Sequence, residues 1–265
     1  MSIYRVDYWP FFERYRAGNR EHYRKRETEL RPAIDKINKK LDQCEYVCSS
    51  DFEDKKKVNW SWAPANIIRA ALEAMYHMGE LVIHHKNGTR KYYSRAKDTI
   101  PPEIYTKADP NKSDEDYFRW YARRRIRSAG LLWDRPGGAW LGIYNLNAEI
   151  RRKAVRSLLE SGHILPVNIE GSSFIFYIDK DHECFIGDAG DESYACFPAP
   201  LDNLLWDRDM IEYLYEFEYR WEVYTPVKKR KFGYYVLPVL YNDSFIARFE
   251  PVFDKNTSKL NIINW

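Results

Sequence analysis

The sequence predicts an α+β protein: two helix-and-hairpin units in tandem, followed by an antiparallel β region. Three observations predict it. Amphipathic helices stop at a glycine and run into short hairpin patterns; that arrangement recurs after a constant shift of 83 residues; and strand-like segments dominate beyond residue 218.

In the first unit, Leu30, Ala33, Ile34, Ile37 and Leu41 recur at helical spacing, with Pro32 expected in the first turn, where its missing N–H costs least. A short segment, Ser49-Ser50-Asp51-Phe52-Glu53, follows. Pro64 is then expected to open a second helix with Ile67, Ile68, Ala71, Leu72 and Met75 inward and Asn66, Arg69, Glu73 and His77 toward solvent. Gly79 ends it, and residues 80–84 and 90–94 read as strands around Lys86-Asn87-Gly88-Thr89, an Asn-Gly hairpin signal. Helix, short helix, helix, hairpin is the order of a winged helix.

The second unit starts at Ser113, which with Asp116 forms a capping box ahead of Tyr117, Phe118, Tyr121, Ala122 and Ile126. Asn147 caps a further helix whose inward residues are Ile150, Ala154, Val155, Leu158 and Leu159. Gly162 closes it, and strands over 163–170 and 174–179 flank Gly171-Ser172-Ser173. The shift superposes Gly79 on Gly162, Gly88 on Gly171, Ala71 on Ala154, Met75 on Leu158 and Leu81 on Ile164, so a duplicated winged helix is the simplest account.

Beyond residue 180 an acidic, loop-rich stretch leads to Trp206-Asp207-Arg208 and a short helix over 210–215. Strands over 219–225, 232–241, 244–253 and 260–265, with a tight turn at Asn242-Asp243, make a meander. The expected domains are 1–107, a winged helix with an N-terminal extension; 108–180, a second winged helix; and 181–265, a β-rich domain.

A hydrophobic content of 45% supports ordinary cores, while no run approaches a membrane span and the first thirty residues carry charge throughout, so the expected location is the cytoplasm, with the nucleoid as the place of action. Cys44, Cys48, Cys184 and Cys196 lack paired zinc spacing and read as reduced thiols. His84 and His85 are expected on opposite faces of a strand, unable to share a metal. No cofactor or metal is expected, and P-loop, GxSxG and GxGxxG patterns are absent.

The net charge of +3 hides an asymmetry. Residues 1–178 hold 32 Lys and Arg against 23 Asp and Glu, whereas residues 179–265 hold 10 against 16. A basic, aromatic-rich portion fits a polyanion partner, and the alternative is a solvated charged surface. The candidate contacts are Arg69, Lys86, Arg90 and Lys91 in the first unit, and Arg123, Arg124, Arg127, Arg151 and Arg152 in the second. The tetrad Lys228-Lys229-Arg230-Lys231 is expected at a hairpin tip, where four close cations call for a polyanion or neighbouring carboxylates.

The stretch Tyr219-Arg-Trp-Glu-Val-Tyr-Thr-Pro-Val-Lys-Lys-Arg-Lys-Phe-Gly-Tyr-Tyr-Val-Leu-Pro-Val-Leu-Tyr241, with Arg248-Phe249-Glu250, resembles the C-terminal signature of the YcaQ-like and AlkZ-like winged-helix DNA glycosylases. Ser49 to Glu53, Trp60-Ser61-Trp62, Gly79-Glu80-Leu81 and residues 201–208 are similar to the same family, so the likeness covers nearly the whole chain. The resemblance implies tandem winged helices and a β-domain that cradle duplex DNA, and hydrolysis of the N-glycosidic bond of alkylated or crosslinked bases.

It also implies a catalytic Gln-x-Gln or Gln-x-Asp motif in a first winged helix, expected upstream of residue 1 and supplied, if at all, by a separately encoded segment. The sole glutamine here, Gln43 in Gln43-Cys44-Glu45, follows the helix over 30–41 and reads as a decoy, which leaves the catalytic residues unassigned. The resulting expectation is a partner of double-stranded DNA, related to repair glycosylases and catalytically incomplete alone. The alternatives are an active glycosylase using other residues, or a winged-helix regulator or protein-interaction module.

Overall fold

A side-chain cap and a glycine stop set the limits of the helix over residues 67–78. The computed structural model describes residues 4–60, 63–187 and 193–265, so Ser61, Trp62 and part of the acidic stretch lie outside the described residues. The chain divides into two compact units, Met1–Lys112 and Ser113–Trp265. Both mix helices with antiparallel sheet, which makes the fold α+β.

The first unit comprises α1 (Glu13–Arg24), α2 (Glu27–Leu41), the short strands β1 (Lys57–Val58) and β2 (Ala65–Asn66), α3 (Ile67–Met78), the hairpin β3 (Leu81–Asn87) and β4 (Arg90–Arg95), and the single turns α4 (Ala96–Thr99) and α5 (Pro102–Tyr105). A 3-10 turn, Ser49–Asp51, lies between α2 and β1. Leu30, Ala33, Ile37 and Leu41 of α2 pack with Ile67, Ile68, Ala71, Leu72 and Met75 of α3 in one buried cluster. Each fully buried aliphatic side chain there contributes about 2 kcal/mol.

Two expected helix starts move. Because α2 begins at Glu27, Pro32 lies in its second turn. The carbonyl that its missing N–H would have served belongs to Thr28, and since Thr28 and Pro32 are both exposed, water can take that place. Pro64 does not open α3 either. Ala65 and Asn66 pair with Val58 and Lys57, and the helix begins one residue later, with the Asn66 carboxamide oxygen accepting from the Ile68 and Arg69 amides. Asn66 is therefore a cap and not a groove-facing side chain.

Gly79 stops α3 in the left-handed conformation, φ 84°. It has a second reason to be glycine, since a Cβ would lie 2.2 Å from Cδ of the buried Arg16, whose guanidinium stacks on Trp9. The hairpin departs from simple alternation, with a bulge between Ile83 and His85. That irregularity puts both imidazoles on one side, His84 Nδ1 lying 2.8 Å from His85 Nδ1, contrary to the expectation of opposite faces. Among the described residues, no three His, Cys, Asp or Glu side chains converge to hold a metal.

In the second unit, α6 (Asp114–Ala129) starts at the predicted Ser113–Asp116 capping box. It is followed by β5 (Leu132–Trp133), α7 (Ala148–Glu160) capped by Asn147, β6 (Ile164–Asn168) and β7 (Ile175–Asp179). The sheet order is β5-β7-β6. The elements match the first unit under the 83-residue shift, including a detail outside the original superposition. Tyr93 of β4 makes an isolated bridge to Val47, and its equivalent Phe176 of β7 pairs with Trp133 of β5, so the same position of both hairpins is bridged on its outer edge, by a single residue in the first and by a strand in the second.

The chain then forms β8 (Ala195–Cys196), α8 (Arg208–Tyr215), β9 (Leu237–Tyr241), β10 (Ser244–Asp254) and β11 (Lys259–Asn264), the strands ordered β11-β10-β9-β8. Leu205, Ile211, Phe217 and Tyr219 form a small core. The expected strand over 219–225 is absent, and that over 232–241 is reduced to β9. The reason is a competing set of hydrogen bonds, described below. All four cysteines are free thiols, and no helix among the described residues is long and apolar enough to cross a membrane.

Candidate nucleic-acid interface

The most distinctive C-terminal residues build a frame. Glu222 is 4% exposed, and its carboxylate accepts from the amides of Lys231 (2.8 Å), Phe232 (2.7 Å) and Gly233 (3.4 Å). Glu250 on β10, 8% exposed, accepts from Tyr234 (3.0 Å) and Tyr235 (3.1 Å). Two carboxylates thus hold five consecutive backbone donors that would otherwise serve a strand ladder. Burial works against the charge of Glu222, but the amides of Phe232, Lys231 and Gly233 outweigh it and hold its pKa below the usual glutamate range. Gly233 has φ 145°, and a Cβ there would lie 2.3 Å from Glu250 Oε2.

This frame, and not a hairpin tip, presents the basic tetrad. Val227–Lys229 forms a 3-10 turn in which Lys228 and Lys229 are exposed and meet no partner among the described residues. The other two cations are engaged. Arg230 donates to the Thr225 carbonyl (2.9 Å) and lies over Tyr234, and Lys231 pairs with Glu218.

Other signature segments also serve folding. Asp51 Oδ2 accepts the Cys48 amide at 2.7 Å and so closes the turn at Ser49-Ser50-Asp51. Asp207, 1% exposed, caps α8 through the Met210 amide (3.1 Å), and burial raises its pKa. The Gly137-Gly138 turn lies directly on it, since a Cβ at Gly137 would fall 2.1 Å from Asp207 Oδ2. Gln43 is exposed beyond the end of α2.

The candidate contacts on the two helix-and-hairpin modules separate into free and engaged groups. On the first, Lys86 and Arg90 are exposed near the hairpin turn, and Lys91 is half-buried across the ladder from Lys86. Arg69 is exposed but pairs with Glu73 (3.1 Å), whose other oxygen accepts from Trp60 Nε1 (2.7 Å). His77, expected toward solvent, bonds to the Tyr15 hydroxyl (2.9 Å), and burial lowers its pKa.

On the second, Arg123 makes a two-pronged bond to Asp179 (2.8 and 3.1 Å), and Arg127 pairs with Asp181 at 2.5 Å. Asp179 is fully buried; burial opposes its charge, and Arg123 with the Asp181 amide still brings its pKa below normal. Arg124 lies 6.0 Å from the Trp120 ring centre. Arg151 is no surface cation: it is 5% exposed, bonds Asp134 at 2.5 Å and lies over Trp140. Its position on the inward side of α7 next to Ala154 and Val155 explains the burial. Arg152 and Arg156 are exposed on α7 and have no partner among the described residues, while Lys153 pairs with Glu115 at 3.0 Å.

On α7 and on the carboxylate-held loop, four cations therefore stand free among the described residues: Arg152 and Arg156, and Lys228 and Lys229. Arrays of this kind neutralise phosphates. Sequence reasoning missed the difference between Arg151 and Arg152 because both are arginines in one helix, and the inward stripe Ala154, Val155, Leu158 was the signal that could have separated them.

No solved structure matches the chain. The family model described as DNA glycosylase AlkZ-like matches residues 2–265, the span over which the sequence motifs and their buried carboxylates lie, and the chain belongs to that family.

Proposed function

We propose that residues 1–265 bind double-stranded DNA as a repair-glycosylase relative and, on their own, hold it without cleaving the glycosidic bond. The observation that carries this reading is the set of four unpaired cations on α7 and on the loop held by Glu222 and Glu250, in a chain of the AlkZ-like family. The two helix-and-hairpin modules act in it as tandem winged helices, 1–107 and 108–180, with 181–265 as the β-rich domain. Their shared element order, and the bridging of Tyr93 and of its equivalent Phe176, support that division.

Catalytic incompleteness is supported by Gln43, the single glutamine, which is exposed beyond the end of α2. A segment outside residues 1–265 carrying the Gln-x-Gln or Gln-x-Asp motif completes the site in this reading. Fluorescence anisotropy of labelled duplexes, undamaged and alkylated, over a salt series tests it, with the same reactions sampled for released base. Affinity falling steeply with salt and no base release is the expected result. Base release makes the chain an active glycosylase using other residues, and absence of binding assigns it to the protein-interaction class.

A further inference from the structure

An open cleft of about 440 Å³ lies on the C-terminal sheet, lined by Phe217, Phe232, Arg248, Phe249 and Trp265 among others. Its volume falls within the range of small-ligand sites. Arg248 on β10 has its guanidinium carbon 4.4 Å from the Phe217 ring centre and 4.0 Å from that of Phe232. A guanidinium stacked on rings presents its N–H donors from its edge. None of these donors meets an acceptor among the described residues, and none is sealed from solvent, whereas the other cleft-lining cation, Lys231, is neutralised by Glu218. Burial works against the charge of Arg248, with Glu218 partly offsetting it.

The surroundings select among ligands. Glu250 lines the cleft as a carboxylate already committed to two amides, and Glu218 lies close enough to act on Arg248, so a phosphate would meet two negative charges. The aromatic walls favour a flat ring, and the charge of Arg248 disfavours a cationic one. A donor-only fork needs two adjacent acceptors on that ring, which the O6 and N7 atoms of guanine provide; adenine offers N7 beside an amino donor.

We propose that this cleft is a nucleobase pocket that takes an unpaired guanine, Arg248 reading its O6/N7 edge and Trp265 covering its face. The inference rests on the nucleic-acid reading only for the source of the guanine. Alkylation at N7 removes one acceptor and adds a positive charge, so the pocket rejects N7-alkylated guanine and receives intact guanine.

Calorimetric titration of the full chain with guanosine, inosine, adenosine and 7-methylguanosine monophosphates, and with inorganic phosphate, tests the assignment. The guanosine and inosine nucleotides are expected to bind about 10-fold more tightly than the other two, with phosphate weakest. Arg248→Lys, which keeps the charge and loses the fork, and Arg248→Met should erase the discrimination. Trp265→Ala, at a 76% exposed position, should weaken guanosine monophosphate at least about 5-fold with an unchanged melting temperature, which separates loss of contact from loss of fold. Equal binding of all nucleotides and phosphate, no binding at millimolar concentration, or discrimination surviving in Arg248→Met would each overturn it. Duplex affinity is read separately, so guanine binding without duplex binding defeats the DNA reading and leaves the pocket standing, and the converse defeats the pocket alone.

Discussion

Helices α3 and α7 occupy equivalent places in the two modules and have opposite surroundings. Among the residues of α3 only Arg69 is exposed, because Tyr15 and Tyr23 of α1 and the Trp60 indole cover its outer side, Tyr23 stacking on Trp60 at 5.8 Å and on His77 at 6.5 Å. The outer side of α7 is open, with Glu149, Arg152, Lys153, Arg156 and Glu160 exposed. The hairpins reverse the pattern. The first carries Lys86, Arg90 and Lys91, while the turn of the second, Asn168 to Phe174, has no cation and is tied down by Tyr213 donating to Ser172. A shared pattern therefore does not carry a shared charge distribution: one module places its exposed cations on the hairpin and the other on the helix.

The sharpest test of this contrast is within α7. Arg151→Ala should cost about 3 kcal/mol of stability, since it strands Asp134 in a mostly buried pair, and a denaturant titration measures it. Arg152→Ala should change stability by less than about 0.5 kcal/mol. Equal effects of the two would erase the distinction between inward and outward arginines.

Next in size is binding. The double change Arg152→Ala with Arg156→Ala should reduce duplex affinity about 10-fold or more at low salt and lower the salt slope by about 2, because each neutralised phosphate contributes about 0.9. Lys86→Ala with Lys91→Ala tests the hairpin of the other module by the same anisotropy measurement. A larger loss from the hairpin pair would transfer the main contact to the first module.

The covered side of α3 yields a smaller effect, tied to pH. Tyr15→Phe removes the bond to His77 and should cost about 1 kcal/mol in a melting experiment. Because burial lowers the folded pKa of His77, the unfolded chain binds its proton more readily, so this group's stabilisation is present at neutral pH and is lost as pH falls from the unfolded value toward the lowered folded one. His77→Gln should flatten the dependence of stability on pH in that window. Glu222 acts lower on the scale: its depressed pKa gives stability that disappears only as pH falls through the folded value, and Glu222→Gln should weaken that acid limb.

Much of the frame was legible in the residues. Ser113 with Asp116, Asn147, Gly79 and Gly162 fixed helix limits through bonds and backbone angles that span three or four residues, and the apolar stripes of α2, α3 and α7 named most of their buried side chains correctly. The candidate interface was less legible. Composition named cation-rich segments, yet it did not distinguish the free Arg152 from the buried Arg151, or Lys228 and Lys229 from the paired Lys231.

The sequence by itself determined the two helix-and-hairpin modules, their repeat and the family motifs, because periodicity, caps and turn glycines act locally. Only the tertiary structure decided which polar groups are spent internally. Arg151 finds Asp134 seventeen residues away, Tyr234 and Glu250 are sixteen apart, and the cover on His77 comes from Tyr15, sixty-two residues earlier. A charge is free for a ligand only when no such distant partner reaches it, and that depends on how the elements pack.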